Sequence, residues 1–279
     1  METLFETNQS AVEKVYPENG LSPVTAPMTL NINYPVHDYE VERLCVQNWG
    51  TSIPGRITKE EAAAVTTLGS VFTGNTNITS FNELEYFTGL TTLRTAFQNC
   101  TGLTSVKISK SPLTNMYYAF NGCSALTSIT IPNDQNWTFV QEGLNHTFSG
   151  CTAFTGQIDL SSVKGYVSGI SYVNAYALIH SSNTTSIIMP RTTLFIDSAF
   201  VDCRNLVSID SDGMRLCTTG SVRLRNIIGA NGSSHAAISL TTITSGIPNA
   251  NISLDLGYAP LTHESAVAVI NNLATVSTT

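Results

Sequence analysis

Charge is what this chain has least of. Charged side chains are 12 % of its 279 residues, with 13 Lys and Arg against 20 Asp and Glu and a formal net charge of −7. No basic stripe exists to displace the counterions of a phosphate backbone, so nucleic acid is excluded as a natural partner. Long hydrophobic runs are also missing: nothing approaches the roughly 18–20 apolar residues a membrane helix needs. The opening M-E-T-L-F-E-T-N-Q-S has neither a basic n-region nor an apolar h-region, so no secretory signal is read there. A matured or trimmed chain, a cytosolic protein and a virion component all fit. There is no H-E-x-x-H, no G-x-S-x-G, no phosphate-cradling glycine loop and no dinucleotide fingerprint. The five histidines are scattered. The expectation is a chain that is not an enzyme and carries no cofactor. Disorder is excluded by a hydrophobic content of 42 %.

What is present is a repeat. Ala119 to Pro132 reads A-F-N-G-C-S-A-L-T-S-I-T-I-P, and the pattern returns at Ala96 to Ile108 and at Ala199 to Ser211. Thr147 to Leu160 keeps Phe148, Cys151, Phe154, Ile158 and Leu160 with one inserted residue, and Ala177 to Pro190 keeps Ala177, Leu178, Thr185 to Ile187, Met189 and Pro190. An opening copy, Phe72 to Phe81, carries Asn75 at the cysteine position. With Leu178 counted as the fourth copy's phenylalanine, the spacings are 25, 23, 28, 30 and 22 residues. A period in the twenties marks a stacked solenoid. Within a unit, Leu126, Ile129 and Ile131 follow L-x-x-I-x-I, the apolar skeleton of a leucine-rich repeat. Ile129 to Ile131 alternates as a short strand, and Pro132 ends it because it cannot donate the next ladder bond.

Equivalent positions stack about 5 Å apart in such an array. Cys100, Cys123, Cys151 and Cys203 therefore form one ladder of buried fillers, each thiol meeting a neighbouring backbone group. None of the six cysteines makes a C-x-x-C pair, so no metal site is expected. Cys45 and Cys217 lie off the ladder and are expected to be reduced. His180 falls where other copies carry Gly122 or Gly150, a turn site.

Residues 1–35, with Pro17, Pro23, Pro27 and Pro35, read as an extended arm with one strand at Met28 to Asn33. Such an arm can assemble with another subunit. Residues 36–66 read as a helix-loop-helix cap. Asp38 N-caps a helix to Trp49, and Thr58 with Glu61 forms a capping box for a second helix from Lys59 to about Thr66. The loop Gly50 to Glu61 aligns with an EF-hand calcium loop, with Gly55 at position 6 and Glu61 at 12. Gly50, Ser52 and Pro54 stand where oxygen ligands belong, so calcium is not expected to bind. The solenoid spans 67–260, blurring beyond Cys217 into strands at Ile238 to Ile243 and Ile252 to Leu256. Residues 261–279 close the chain as a helix over Leu261 to Leu273, N-capped by Thr262, and a frayed tail.

Binding candidates fall in two groups. Outward strand positions form a small, hydroxyl-rich stripe: Ser105, Lys107, Ser128, Thr130, Gln157, Asp159, Ser186, Ile188, Ser208 and Asp210. Any soluble sheet face looks similar. The insertions after Cys123 add Trp137, Phe139, His146, Tyr166, Tyr172 and Tyr176, with Tyr117 and Tyr118 nearby. Aromatic side chains on solenoid loops stack on sugars, anchor a protein partner, or cover the edge of the core.

These units resemble the BspA-like leucine-rich repeats of bacterial surface proteins, A-F-x-x-C-x-x-L-x-x-I-x-I-P, over residues 67–211. The segment 41–103 is similar to the N-terminal region of such proteins, and L-T-H-E-S-A-V-A-V-I-N-N-L resembles their C-terminal module. The resemblance implies an α/β-type solenoid: a right-handed leucine-rich repeat array of short parallel strands with an N-terminal helical cap and a C-terminal capping helix. It implies a non-catalytic cell-surface or secreted protein that adheres to or recognises a protein or glycan partner. Related repeats are also similar to parts of phage tail or fibre proteins, which gives a virion component as the alternative.

Overall fold

The computed structural model describes residues 4, 38–133, 135–180, 182–195, 199–200, 203–211, 215–216, 242–243, 262–264 and 266–267. Two helices come first. Helix α1 spans Tyr39–Trp49, and Asp38 accepts from the amides of Glu40 and Val41 at its start. Helix α2 spans Lys59–Ala64 and opens on a complete capping box: Glu61 N–H donates to Thr58, while the Thr58 amide donates to Glu61. These bonds satisfy amides that a helix start otherwise leaves unpaired. Asp38 also reaches into the first coil, its other oxygen accepting from Thr79 N–H and Oγ1 and from Ser80 N–H. Trp49 lies 5.7 Å from Phe87 and 6.3 Å from Phe72, centroid to centroid. Helix α1 is thereby fixed to the first coil by Asp38 and Trp49, and also by Glu40, which accepts from Asn75 Nδ2 at 3.0 Å. Of the proline-spaced arm only Leu4 is described; it is buried, and its amide donates to Ile57 O at 2.8 Å.

The coils are parallel-strand solenoid turns. Strands β1 (Ser80–Phe81), β2 (Ser105–Lys107) and β3 (Ser128–Thr130) pair in parallel, with Ser80, Ser105 and Ser128 in one line. Strands β5 (Gln157–Asp159), β8 (Ser186–Ile188), β10 (Ser208–Asp210) and β12 (Thr242–Ile243) form a second parallel sheet, with Ile158, Ile187, Ile209 and Ile243 in line. The front face is thus two blocks, and among the described residues no pairing joins β3 to β5. Leu126 stands two residues before Ser128, but Phe154 stands three before Gln157. Ile129, at the edge of the first block, is half-exposed, whereas Val106, Ile158, Ile187 and Ile209 at the same strand position are buried. On the opposite side β4 (Trp137–Phe139) and β6 (Val163–Tyr166) make a third, two-stranded parallel sheet, and β7 (Val173–Asn174), β9 (Thr193–Phe195) and β11 (Arg215–Leu216) make a fourth.

Between these faces runs an aromatic stack. Phe97 and Phe120 are 5.3 Å apart and 7° from coplanar; Phe120 and Phe148 are 5.6 Å apart and parallel. The backbone corrects the expected fourth member. Phe148 N donates to Leu178 O and Ile179 N to Ala199 O, the pattern by which Phe97 N meets Ala119 O. Ile179, not Leu178, therefore occupies the phenylalanine position, and Ser182 falls at the cysteine position. By the same register His180 stands opposite Ser149, one residue before the turn site expected for it.

Each ladder thiol donates to the carbonyl of the preceding coil's stack residue. Cys100 reaches Phe72 O at 2.9 Å, Cys123 reaches Phe97 O at 2.9 Å, Cys151 reaches Phe120 O at 3.2 Å and Cys203 reaches Ile179 O at 2.7 Å. A cysteine here fills space and satisfies a buried acceptor that the coil geometry leaves over. Burial drives the Cys100 thiol up to about 11 and Cys151 up to about 12, and raises Cys123 further. Turn geometry repeats as strictly. Gly74, Asn99, Gly122 and Gly150 share a column of positive φ, at 72°, 60°, 74° and 76°. A Cβ on Gly122 would lie 2.4 Å from Asn99 Oδ1.

The expected closing helix over 261–273 and the strands at 28–33 and 252–256 lie largely or wholly outside the described residues.

Candidate recognition surface

The strand candidates occupy the front face. Ser128, Thr130 and Gln157 are exposed, and Asp159 is half-buried with Oδ1 accepting from Ser161 N–H at 2.8 Å. They do not form one stripe, because the break between β3 and β5 separates Ser128 and Thr130 from Gln157 and Asp159. The stripe continues on the second block through Ser186, Ser208 and Asp210.

The aromatic candidates divide by burial. Trp137 is 2 % exposed and Phe139 0 %. Both side chains point inward from β4, and the Trp137 indole N–H donates to Ser111 O at 2.9 Å. This corrects the expectation that they face a partner: in a strand the residues flanking an outward Thr138 both point to the core. Tyr166 is 39 % exposed at the end of β6, beside Val167. Tyr172 closes the same excursion, its hydroxyl accepting from Gln141 Nε2 at 2.7 Å.

Tyr176, 38 % exposed, belongs to a different group. Thr95 N donates to Tyr117 O, Tyr118 N to Asn145 O, and His146 N to Tyr176 O. This register stacks Arg94, Tyr117, Asn145 and Tyr176 in one column and Thr95, Tyr118, His146 and Ala177 in the next. All four members of the second column have positive φ, between 47° and 54°. Asn115 Oδ1 accepts from Tyr117 N–H and Asn174 Oδ1 from Tyr176 N–H, fixing each turn with a side chain in place of a strand bond. The outcome is a ridge of rings across the coil edges. Arg94 sits 4.2 Å above the Tyr117 ring; Tyr117 is 4.6 Å from Tyr118, Tyr118 4.4 Å from His146, and His146 5.1 Å from Tyr176. Burial first, and then His180, lower the His146 pKa and favour its neutral form. Within the ridge Asn145 Oδ1 is buried without a hydrogen-bond partner.

Sequence reasoning listed the tyrosines and His146 singly and missed Arg94 and Asn145. The signal that finds them is coil alignment at the turn asparagines, Asn115 and Asn174, rather than at the phenylalanines.

The calcium-like loop is occupied by its own chain. Glu61 Oε1 accepts from the Thr51 amide, the Thr51 hydroxyl and the Ser52 amide, while Oε2 holds the Thr58 amide. These bonds, the Thr58 amide foremost, hold the carboxyl well below its usual range. Among the described residues no group of three or more His, Cys, Asp or Glu is placed to hold a metal ion, and no helix is long and apolar enough to cross a membrane.

Residues 143–216 match the family model described as BspA type leucine rich repeat region (6 copies), a span containing the Phe148, Ile179 and Phe200 coils. No curated protein matches the chain in sequence. Among solved structures, a leucine-rich repeat protein from Bacteroides ovatus is similar at 18 % identity and TM-score 0.34. The match covers 67 % of this chain, which spans 46 % of that protein's length. Internalin C2 from Listeria monocytogenes is similar at 16 % identity and TM-score 0.30, over 80 % of this chain and 91 % of the other.

Proposed function

We propose that this chain, whose residues 143–216 are BspA-type leucine-rich repeats, is a non-catalytic recognition module that binds a protein or glycan through the outer surface of its coils. The observation that carries the reading is how the side chains are divided. The four ladder thiols are buried and hydrogen-bonded, and the Phe97–Phe120–Phe148 stack is closed. What reaches the surface is two separate in-register rows of small polar groups, one on each front sheet, and a ridge of rings. A rigid array of this kind presents many weak contacts without ordering cost at the moment of binding. Repeat families of this type are commonly interaction modules, and adhesion at a cell surface is the role that suits one.

Incubating the full chain with printed glycans and matrix proteins tests this. Saturable capture of one partner without chemical change to it is the expected result. Turnover of a captured molecule, or no capture of any class, contradicts it.

A further inference from the structure

We infer that the ridge formed by Arg94, Tyr117, Tyr118, Asn145, His146 and Tyr176 is a glycan-binding site, at which neutral pyranose rings pack against the tyrosines along the solenoid axis. The inference rests on the recognition role proposed above and names its site and ligand. Three observations carry it. The rings are contiguous, each within 5.1 Å of the next and tilted by 33° to 69°, and come from three successive coils, so the aromatic surface is longer than one residue could supply. A sugar offers C–H faces to such rings and hydroxyls to the groups beside them. Second, the attraction of the Tyr117 face for a cation is already met by Arg94, held over it from the same chain. The charge of Arg94 repels a lysine- or arginine-rich peptide at the ridge, whereas a neutral sugar meets no such repulsion. Third, Asn145 Oδ1 is a buried acceptor with no donor. Such an atom costs stability unless a donor reaches it, and a sugar brings hydroxyl donors to the ridge that encloses it. The front face shows none of these features: its exposed groups are single hydroxyls and amides, and Asp159 is committed to Ser161.

The test uses the full chain on a glycan and matrix-protein array with four variants. Tyr176→Ala removes the most exposed ring. Tyr118→Asn and His146→Asn remove rings while leaving a residue that accepts a left-handed backbone. Thr130→Lys alters the front face only. The expected result is glycan capture that weakens about tenfold or more in each ridge variant and is unchanged in Thr130→Lys, with unchanged melting of Tyr176→Ala. Glycan capture lost only in Thr130→Lys overturns the ridge assignment and leaves the recognition role standing. Capture of a matrix protein with no glycan overturns the ligand class. Capture of nothing overturns both readings. Should Tyr118→Asn fail to fold, Tyr176→Ala still decides.

Discussion

The coils through Phe97 and Phe120 and those through Phe148 and Ile179 are built from one unit and differ in what they leave outside. In the first pair the rings lie 7° from coplanar, the thiols bond the neighbouring carbonyls and the front strands hold register residue for residue. In the second pair an extra residue precedes Gln157, the front strands begin a new sheet, isoleucine replaces phenylalanine in the stack, and Ser182 replaces cysteine. The chain then makes its excursion through Tyr166 and Tyr172. Both pairs supply the ridge, but the regular coils contribute Tyr117 and Tyr118 half-buried, while the irregular coils leave Tyr166 and Tyr176 exposed. The difference lies in how far each ring reaches out of the coil.

Core substitutions break this comparison with the largest effect. Phe120→Ala removes the middle of the ring stack and is expected to cost about 3–5 kcal/mol in urea denaturation. Ile179→Ala, where the stack has already lost its ring, is expected to cost about 2–4 kcal/mol. A larger loss at Ile179 would show that the irregular coils carry the stability. Asp38→Ala removes a helix cap and three bonds to Thr79 and Ser80 together. Its expected cost is about 2 kcal/mol, measured the same way.

The same region responds to acid. Arg43 first, and Asn75 next, hold Glu40 down to about 2 from an ordinary 4.5. Burial pushes Asp38 up, but bonds from Thr79, Val41 and Ser80 outweigh it and leave it lowered. Glu61 is lowered as well. Folded values below unfolded ones mean that these groups contribute stability above the ordinary carboxylate range and lose it as pH falls toward their folded values. Circular dichroism melts between pH 5 and about 2 should therefore show falling stability, and Glu61→Gln should flatten that slope. A slope unchanged in Glu61→Gln would show that its four loop bonds do not matter. The smallest effect belongs to the ladder. Cys123→Ala deletes one thiol donor and little volume, for about 1 kcal/mol. Cys123→Ser introduces the residue type found at Ser182, whose hydroxyl donates to Cys151 O, and should cost less than the alanine change because a donor is kept.

Much of this was legible in advance. Front strands β2, β3, β5, β8 and β10 fall where L-x-x-I-x-I placed them, because alternation about the central apolar residue, buried at Val106, Ile158, Ile187 and Ile209, fixes which way its neighbours face. Both helix starts were readable because capping is local chemistry between Asp38 or Thr58 and the next three residues. The fourth copy was misaligned by one residue because Leu178 and Ile179 are both apolar and no cysteine fixes the phase. Trp137 and Phe139 were misplaced because composition shows aromaticity but not which face of β4 each occupies. The ridge was hidden because its neighbours are 23 to 31 residues apart in sequence and meet only through coil stacking.

The measurement that tests the account most directly is glycan affinity of two variants, one from each kind of coil. Tyr176→Ala comes from the irregular region and Thr130→Lys from the regular one, both compared with the unaltered chain on the same array. The account predicts that binding weakens about tenfold in the first and is unchanged in the second, at equal melting temperatures. Binding that survives Tyr176→Ala and fails in Thr130→Lys would contradict it.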